Sequence, residues 1–166
     1  MEIILDALDG PEIAAFLSEH IEEMRSTTPL ESKHALDLDG LRQPDVAFWS
    51  AYDGGVLVGC GAIKRLDHVN GDDVNGEDVH GDGDHAELKS MRTAADRKRS
   101  GVASAILDHI LGEARRMGFA RISLETGSAD FFRPARGLYE KYGFTYCEPF
   151  GDYVLDPNSV FMTRTL

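Results

Sequence analysis

Residues 86–117 read AELKSMRTAADRKRSGVASAILDHILGEARRM, and this stretch predicts a strand, a basic loop and a helix in that order. The segment Ala86–Thr93 is short and apolar enough for a strand. From Val102 to Met117, apolar residues recur with the i, i+3 and i+4 spacing of an amphipathic helix. The basic cluster 97–99 and the pair Ser100-Gly101 therefore lie immediately before a helix begins.

A loop at the start of a helix is suited to bind an anion. The first backbone N–H groups of a helix lack intrahelical partners, and the helix dipole places partial positive charge at this end. Gly101 lets an anion approach the backbone, and Arg97, Lys98 and Arg99 add positive side chains. The loop is therefore a candidate phosphate site. A solvated basic turn would have the same local sequence, so the wider context decides between the two.

The context is a resemblance to the GNAT superfamily of acyl-CoA-dependent N-acetyltransferases. Lys98–Ala103, KRSGVA, resembles the family's motif A. That motif reads Q/R-x-x-G-x-G/A, where x is any residue. Ala86–Leu88 looks like the Ala-Glu-Ile of the histone acetyltransferase branch, and Leu138–Phe144, LYEKYGF, is similar to motif B. Two positions depart from the family pattern: Lys98 replaces Gln or Arg, and Phe132 replaces an asparagine.

The resemblance implies the α/β (α+β) fold of that family, a mixed and mostly antiparallel seven-stranded sheet flanked by about four helices. Residues 1–166 would form a single N-acetyltransferase domain. Periodicity and turn signals predict strands at Glu2–Leu5, Val46–Tyr52, Val56–Leu66, Ala86–Thr93, Arg121–Thr126, Phe144–Cys147 and Val160–Thr165. They predict helices at Pro11–Arg25, Glu31–Leu41, Val102–Met117 and Pro134–Tyr142. The first two helices would line the acceptor side, where His20 and His34 are interpreted as surface histidines.

The resemblance also implies a site and a reaction. Acetyl-CoA would be the co-substrate, and its acetyl group would pass directly to an amine. Glu87 would be the general base and Tyr139 the general acid, with a solvent-facing strand glutamate and a core tyrosine as the alternatives at these positions. The backbone at 91–93 would hold the pantetheine arm and the thioester oxygen, and the basic loop would hold the pyrophosphate. No metal is expected, and the implied cofactor-binding residues are Met91, Arg92, Thr93, Arg97, Lys98, Arg99, Ser100, Gly101, Val102, Ala103, Ser104 and Phe132.

Composition limits the classes of partner. The 166 residues carry a formal net charge of −12, which argues against nucleic acid because phosphate binding needs positive charge. No apolar run is long enough to span a membrane, and the N-terminus lacks a signal-peptide pattern, so we expect a cytoplasmic protein. The cysteines Cys60 and Cys147 are expected to be reduced. We expect an amine-bearing acceptor, leave its identity open, and allow for a homodimer.

Residues 67–84 form an acidic Gly/Asp-rich insertion between the third and fourth predicted strands. They contain seven acidic residues, no Lys or Arg, and a repeat of five residues. Periodic Asp and Gly can indicate calcium, but the spacing is neither that of the helix-loop-helix site nor that of the β-roll. A solvated insertion is therefore the main interpretation. Two alternatives to an active enzyme stay open: a calcium-dependent interaction protein, and an acyl-CoA-binding module that has lost catalysis.

Overall fold

The computed structural model describes residues 1–27, 38–66 and 84–166. Its strands are β1 (Glu2–Leu5), β2 (Val46–Asp53), β3 (Val56–Arg65), β4 (Asp84–Thr93), β5 (Phe119–Gly127), β6 (Thr145–Cys147) and β7 (Ser159–Thr165). The α-helices of the described residues are α1 (Pro11–Thr27), α2 (Leu38–Leu41), α3 (Val102–Arg116) and α4 (Arg133–Lys141). Short 3₁₀ turns at Ala95–Arg97 and Asp130–Phe132 come shortly before α3 and α4.

All these strands belong to one seven-stranded sheet, in the order β1-β2-β3-β4-β5-β7-β6. The β4–β5 pair is parallel, and the other neighbouring pairs are antiparallel. A tight turn at Gly54 and Gly55, with φ of 57° and 82°, joins β2 to β3 as a hairpin. The parallel pair needs a long crossover, which α3 provides. The predicted fold, a mixed and mostly antiparallel seven-stranded sheet with helices, is confirmed.

Apolar layers cover both faces of the sheet. On one face, the stripe of α3 buries Ile106 and Ile110 completely, and burial of each such side chain contributes about 1.5–3 kcal/mol. On the other face, Ile13 and other residues of α1 and α2 pack over β2 and β3. A Cβ added at Gly59 of β3 would lie 2.6 Å from Ile106 Cδ1, so α3 requires a glycine there to pack this closely.

The strands β4 and β5 separate toward their C-terminal ends. Their paired residues extend only to Leu88 opposite Leu124, although both strands continue beyond that point. In β4, Ser90 and Met91 lie opposite the single residue Gly61, which is the geometry of a β-bulge, and Ser90 has a φ of 56°. The bulge bends β4 away from β5. A gap therefore opens inside the sheet at this point.

Several element ends differ from the predictions by one or two residues. Strand β5, for example, begins two residues before and ends one residue after the predicted 121–126, because Phe119 at its start is buried and Gly127 at its end still pairs with Ser159 of β7. Within the predicted helix 31–41, the described residues form α2, and 31–37 lie outside the described part. The predicted insertion 67–84 also lies outside it, except for Asp84, which belongs to β4 and accepts a 2.5 Å hydrogen bond from Arg65.

Three further findings concern thiols, membranes and metals. Cys60 is buried and Cys147 partly exposed, and both are free cysteines. Across residues 1–27, 38–66 and 84–166, no helix is long and apolar enough to cross a membrane. In the same residues, no group of three or more His, Cys, Asp or Glu side chains is arranged to hold a metal ion.

Candidate active site

A cavity of about 520 Å³ occupies the gap between β4 and β5. Its walls come from β4, from the loop and first turn of α3, from β5, from α4 and from the β6–β7 loop. Every site residue predicted from the sequence lines this cavity, with the exception of Ser100, whose hydroxyl donates to the Arg97 carbonyl oxygen. The cavity therefore brings the predicted base, the predicted acid and the predicted phosphate loop into one space.

The phosphate end of the cavity is the start of α3. Gly101 adopts a φ of 88°, and a Cβ added there would meet nothing within 4 Å, so the space beside this backbone is open. Arg97 is held 2.7 Å from the Asp53 carboxylate, and Lys98 lies 3.5 Å from that of Glu23. Partly exposed ion pairs of this kind are weak, so an incoming anion can compete for both cations.

Glu87 lies at the other side of the cavity and is 4% exposed, so it is not a solvent-facing strand residue. The Tyr153 hydroxyl donates to its two oxygens at 3.1 and 3.0 Å. The Lys89 ammonium donates to Glu87 Oε2 at 3.0 Å and to the Tyr153 hydroxyl oxygen at 3.1 Å. A carboxylate, an ammonium and a phenol thus form one compact cluster, which we call the Glu87 cluster. Its donors hold the carboxylate in a fixed orientation.

Tyr153 reaches Glu87 because aromatic packing attaches the β6–β7 loop to the sheet. Its ring centroid lies 5.2 Å from that of Phe150 and 5.5 Å from that of Phe161 in β7. Burial, followed by the charge of Glu87, raises the pKa of Tyr153, so its hydroxyl keeps its proton at neutral pH. Sequence reasoning did not identify this residue. The two aromatic residues in the otherwise acidic, turn-forming segment 148–159 were the available signal.

Glu125 of β5 is a second carboxyl group in the cavity that sequence reasoning did not identify. Burial raises its pKa from 4.5 to about 7, and the nearby side chains of Ser159 and Lys89 offset this only in part. The charge of Glu87 acts in the same direction as burial. Glu125 consequently changes protonation near neutral pH. Its strand was predicted, but the sequence alone did not indicate that its side chain would be half-buried in a cavity.

Tyr139 of α4 lines the cavity from the face opposite the Glu87 cluster. Its side chain is buried, and its ring meets that of Phe144 edge-on at 5.7 Å. Burial, followed by the charge of Glu125, raises the pKa of Tyr139, which therefore remains a proton donor at neutral pH. It combines the core packing expected of a buried tyrosine with access to the cavity.

Arg92 and His20 border the cavity on the α1 side. The Arg92 side chain is 8% exposed, donates to Glu23 at 2.8 Å and stacks over the Phe16 ring at 4.9 Å. Its Nε is buried without a hydrogen-bond partner in the described structure. Burial, followed by the charge of Arg92, lowers the pKa of His20 to about 4, so His20 is neutral at pH 7. His20 is thus a cavity residue rather than the surface histidine that we expected, and His34 lies outside the described residues.

Phe132 fills the space above Gly127, where a Cβ would lie 2.1 Å from Phe132 Cδ2. An aromatic ring therefore lines the cavity at the position where the resembled family has an asparagine. The ring offers van der Waals contact but no side-chain donor or acceptor.

Comparisons with known proteins bear on the family and the fold of this chain. Residues 12–144 match the model of the Acetyltransferase (GNAT) family. The chain is 49% identical to the "Uncharacterized N-acetyltransferase YsnE" of Bacillus subtilis, with both chains covered completely. It is 37% identical to the "IAA acetyltransferase" of Azospirillum brasilense, over 83% of this chain and 80% of the relative. Among solved structures, a putative acyl-CoA N-acyltransferase of Klebsiella pneumoniae aligns with a TM-score of 0.69 at 23% identity, covering 99% of this chain and 97% of the other.

A second solved structure shares the fold. An aminoglycoside 6'-N-acetyltransferase complexed with coenzyme A aligns with a TM-score of 0.65 at 17% identity, over 99% of this chain and 97% of that one. At this level of identity the likeness shows the fold.

Proposed function

The chain belongs to the acetyltransferase (GNAT) family, and from that premise we propose that it transfers an acetyl group from acetyl-CoA directly to an amine of a small molecule or peptide. One observation carries the proposal. A single cavity extends from an open, basic helix start to a buried carboxylate cluster on the other face of the sheet. We further infer that residues 1–166 form one catalytic domain and that it works in the cytoplasm.

The chemistry of the cavity fits coenzyme A. In this proposal, Arg97, Lys98, Arg99 and the N–H groups of 101–103 hold the pyrophosphate, supported by the open space beside Gly101. The backbone of 91–93, which follows the bulged residue Ser90, receives the pantetheine arm and the thioester, with Ser104 and the Phe132 ring nearby. The unpartnered buried Nε of Arg92 supports a ligand acceptor atom on this side of the cavity. When bound, acetyl-CoA supplies the thioester carbonyl that the amine attacks.

Acetyl transfer to an amine requires removal of a proton from the ammonium and a proton for the departing thiolate. We propose Glu87 for the first role, since its carboxylate is buried at the cavity wall and oriented by two donors. We propose Tyr139 for the second, since it keeps its proton and borders the cavity from α4. No covalent enzyme intermediate is needed, because amine and thioester can meet in the same space.

The function is tested by measuring thiol release from acetyl-CoA with a panel of polyamines, amino acids, aminoglycosides and peptide N-termini. IAA belongs on the panel as well, because the Azospirillum relative is named for it. We expect turnover with at least one amine and its loss in Glu87→Gln. Coenzyme A binding without turnover on the whole panel would instead favour the binding module. If the protein shows neither turnover nor coenzyme A binding but releases or absorbs heat on binding calcium in calorimetry, the calcium-dependent interaction protein would be favoured.

A further inference from the structure

A primary amine of the chain itself already lies where the proposed base would deprotonate a substrate. The Lys89 Nζ is 3.0 Å from Glu87 Oε2 and 3.4 Å from Glu87 Oε1. Its side chain is 10% exposed, so bulk solvent hardly reaches it. We propose that Lys89 is a self-acetylation site, at which the protein transfers the acetyl group of bound acetyl-CoA to its own amine when no acceptor is present. The inference rests on the proposed acetyl transfer.

The position of Lys89 on β4 makes this transfer geometrically direct. Lys89 is separated from Met91 by the bulged residue Ser90, and 91–93 is the segment proposed to hold the thioester. Glu87 and Lys89 are two residues apart on the strand and therefore project from the same face. Both residues line the cavity that Tyr139 also lines. The proposed amine, base, acid and thioester segment thus border one cavity, which is the arrangement that gives intramolecular reactions their advantage.

The step balances with the groups already assigned. The Lys89 ammonium loses one proton to Glu87, and its lone pair attacks the thioester carbon. A C–N bond forms, and the C–S bond breaks with its electron pair on sulfur. The thiolate takes the Tyr139 proton, and the second proton of the nitrogen restores the phenol. Glu87 passes the first proton to solvent, so the products are an N-acetyl-lysine, free coenzyme A and one proton.

Acetylation would change the Glu87 cluster. The amide nitrogen of acetyl-lysine carries no charge and one donor, so Glu87 would lose its ion pair while remaining buried. An incoming acceptor ammonium occupies the same carboxylate and shields the thioester from Lys89. The modified form would therefore accumulate when acetyl-CoA is abundant and the acceptor is scarce, and its turnover would be lower. Lys89 would act as a built-in sensor of acceptor supply.

The experiment incubates the intact protein with acetyl-CoA and no acceptor, and follows the gain of one acetyl group by intact mass and peptide mapping. Lys141, exposed on α4 outside the cavity, reports the chemical background in the same sample. We expect Lys89 to react at least about tenfold faster than Lys141, as expected for an amine held beside the thioester. The rate constant should not depend on protein concentration, and an acceptor amine should slow it. Turnover should fall as modification proceeds.

Three variants complete the test. Lys89→Arg keeps a positive charge beside Glu87 but cannot be acetylated, so the rapid modification should disappear. Glu87→Gln should slow it strongly, whereas Glu113→Gln, at a carboxylate on α3 that lies outside the cavity and pairs with Arg116, should not. An unmodified Lys89 in a wild-type protein that turns over an acceptor would overturn this inference alone, and so would modification of Lys89 and Lys141 at equal rates. A wild type with neither turnover nor modification would contradict the proposed function itself.

Discussion

The Tyr153 hydroxyl bridges both carboxylate oxygens of Glu87, at 3.1 and 3.0 Å, across 66 positions of sequence. The orientation of a group on β4 therefore depends on a loop near the C-terminus. The Tyr153 ring packs against Phe150 of the same loop and against Phe161 of β7, which attaches the loop to the sheet. Positioning of the proposed base is thus a property of the tertiary structure rather than of the strand that carries it.

We expect Tyr153→Phe to lower turnover by roughly 10- to 150-fold, because a hydrogen bond to a charged group is worth roughly 1.5–3 kcal/mol and each 1.4 kcal/mol is about tenfold in rate. Ring packing and coenzyme A affinity should be retained, and the pH profile of turnover should shift. Tyr146→Phe is the matched control, since Tyr146 also donates to a glutamate, Glu140, but is 54% exposed and outside the cavity. Equal effects of the two changes on turnover would show that the bond to Glu87 does not matter.

Glu87→Gln should lower turnover by roughly 10²–10⁴-fold, the usual contribution of one proton-transfer group. The amide has nearly the same shape, so acetyl-CoA affinity measured by calorimetry should barely change. Retention of more than half of the wild-type turnover at pH 7 would contradict the assignment of Glu87 as the base and direct attention to Glu125.

Tyr139→Phe should lower turnover by a smaller factor than Glu87→Gln. Coenzyme A is a tolerable leaving group as its thiolate, and water can replace the phenol as a proton donor. The two variants are compared by single-turnover kinetics with saturating acetyl-CoA. A larger loss in Tyr139→Phe would indicate that protonation of the thiolate limits the reaction, which the proposed mechanism does not predict.

Gly101→Val should abolish tight binding of acetyl-CoA. The added side chain would enter the open space beside the start of α3, where the pyrophosphate is proposed to lie. A valine at a φ of 88° is also strained by about 1–3 kcal/mol. Gly118→Val controls for the strain, because Gly118 has the same φ and the same open surroundings at the far end of α3. Both variants should lose similar stability, but only Gly101→Val should lose affinity.

Glu125→Gln should change how stability depends on pH. The pKa of Glu125 is about 7 in the folded protein, against an ordinary value of 4.5. Between these values the folded state binds more protons than the unfolded state, so this group's contribution to stability is present below pH 4.5 and is lost as pH rises through 7. The loss is up to about 3 kcal/mol, because each tenfold change in proton affinity on folding corresponds to about 1.4 kcal/mol.

Glu125→Gln has no carboxyl group to ionise at this position, so it does not lose this stability. Its free energy of unfolding, measured with urea, should therefore rise relative to that of wild type as pH rises from 4.5 to 8. His20 acts in the opposite direction, since its lowered pKa of about 4 costs stability as pH falls below 6.5. That effect is common to both proteins and cancels in their difference. Parallel stability curves for wild type and variant would contradict the raised pKa of Glu125.

The sequence predicted the parts of the site that are local in the chain. The apolar stripe of α3 and the basic turn before it are both encoded within residues 97–114, and the cavity contains that helix start as expected. Tyr153, Glu125 and His20 were not predicted as site residues, because only tertiary packing brings them to the cavity. Their burial also sets their pKa values, and no sequence pattern indicates how much solvent a given carboxyl or imidazole will retain.

The separation of β4 from β5 has a kinetic consequence. The cavity within the sheet is bordered by Tyr139 on the α4 side and by Glu87 and Tyr153 on the opposite side. Two substrates that meet there can approach from opposite faces, so neither blocks the path of the other. Either order of addition is then productive, and double-reciprocal plots should intersect. Coenzyme A should therefore inhibit competitively with respect to acetyl-CoA, but not with respect to the acceptor.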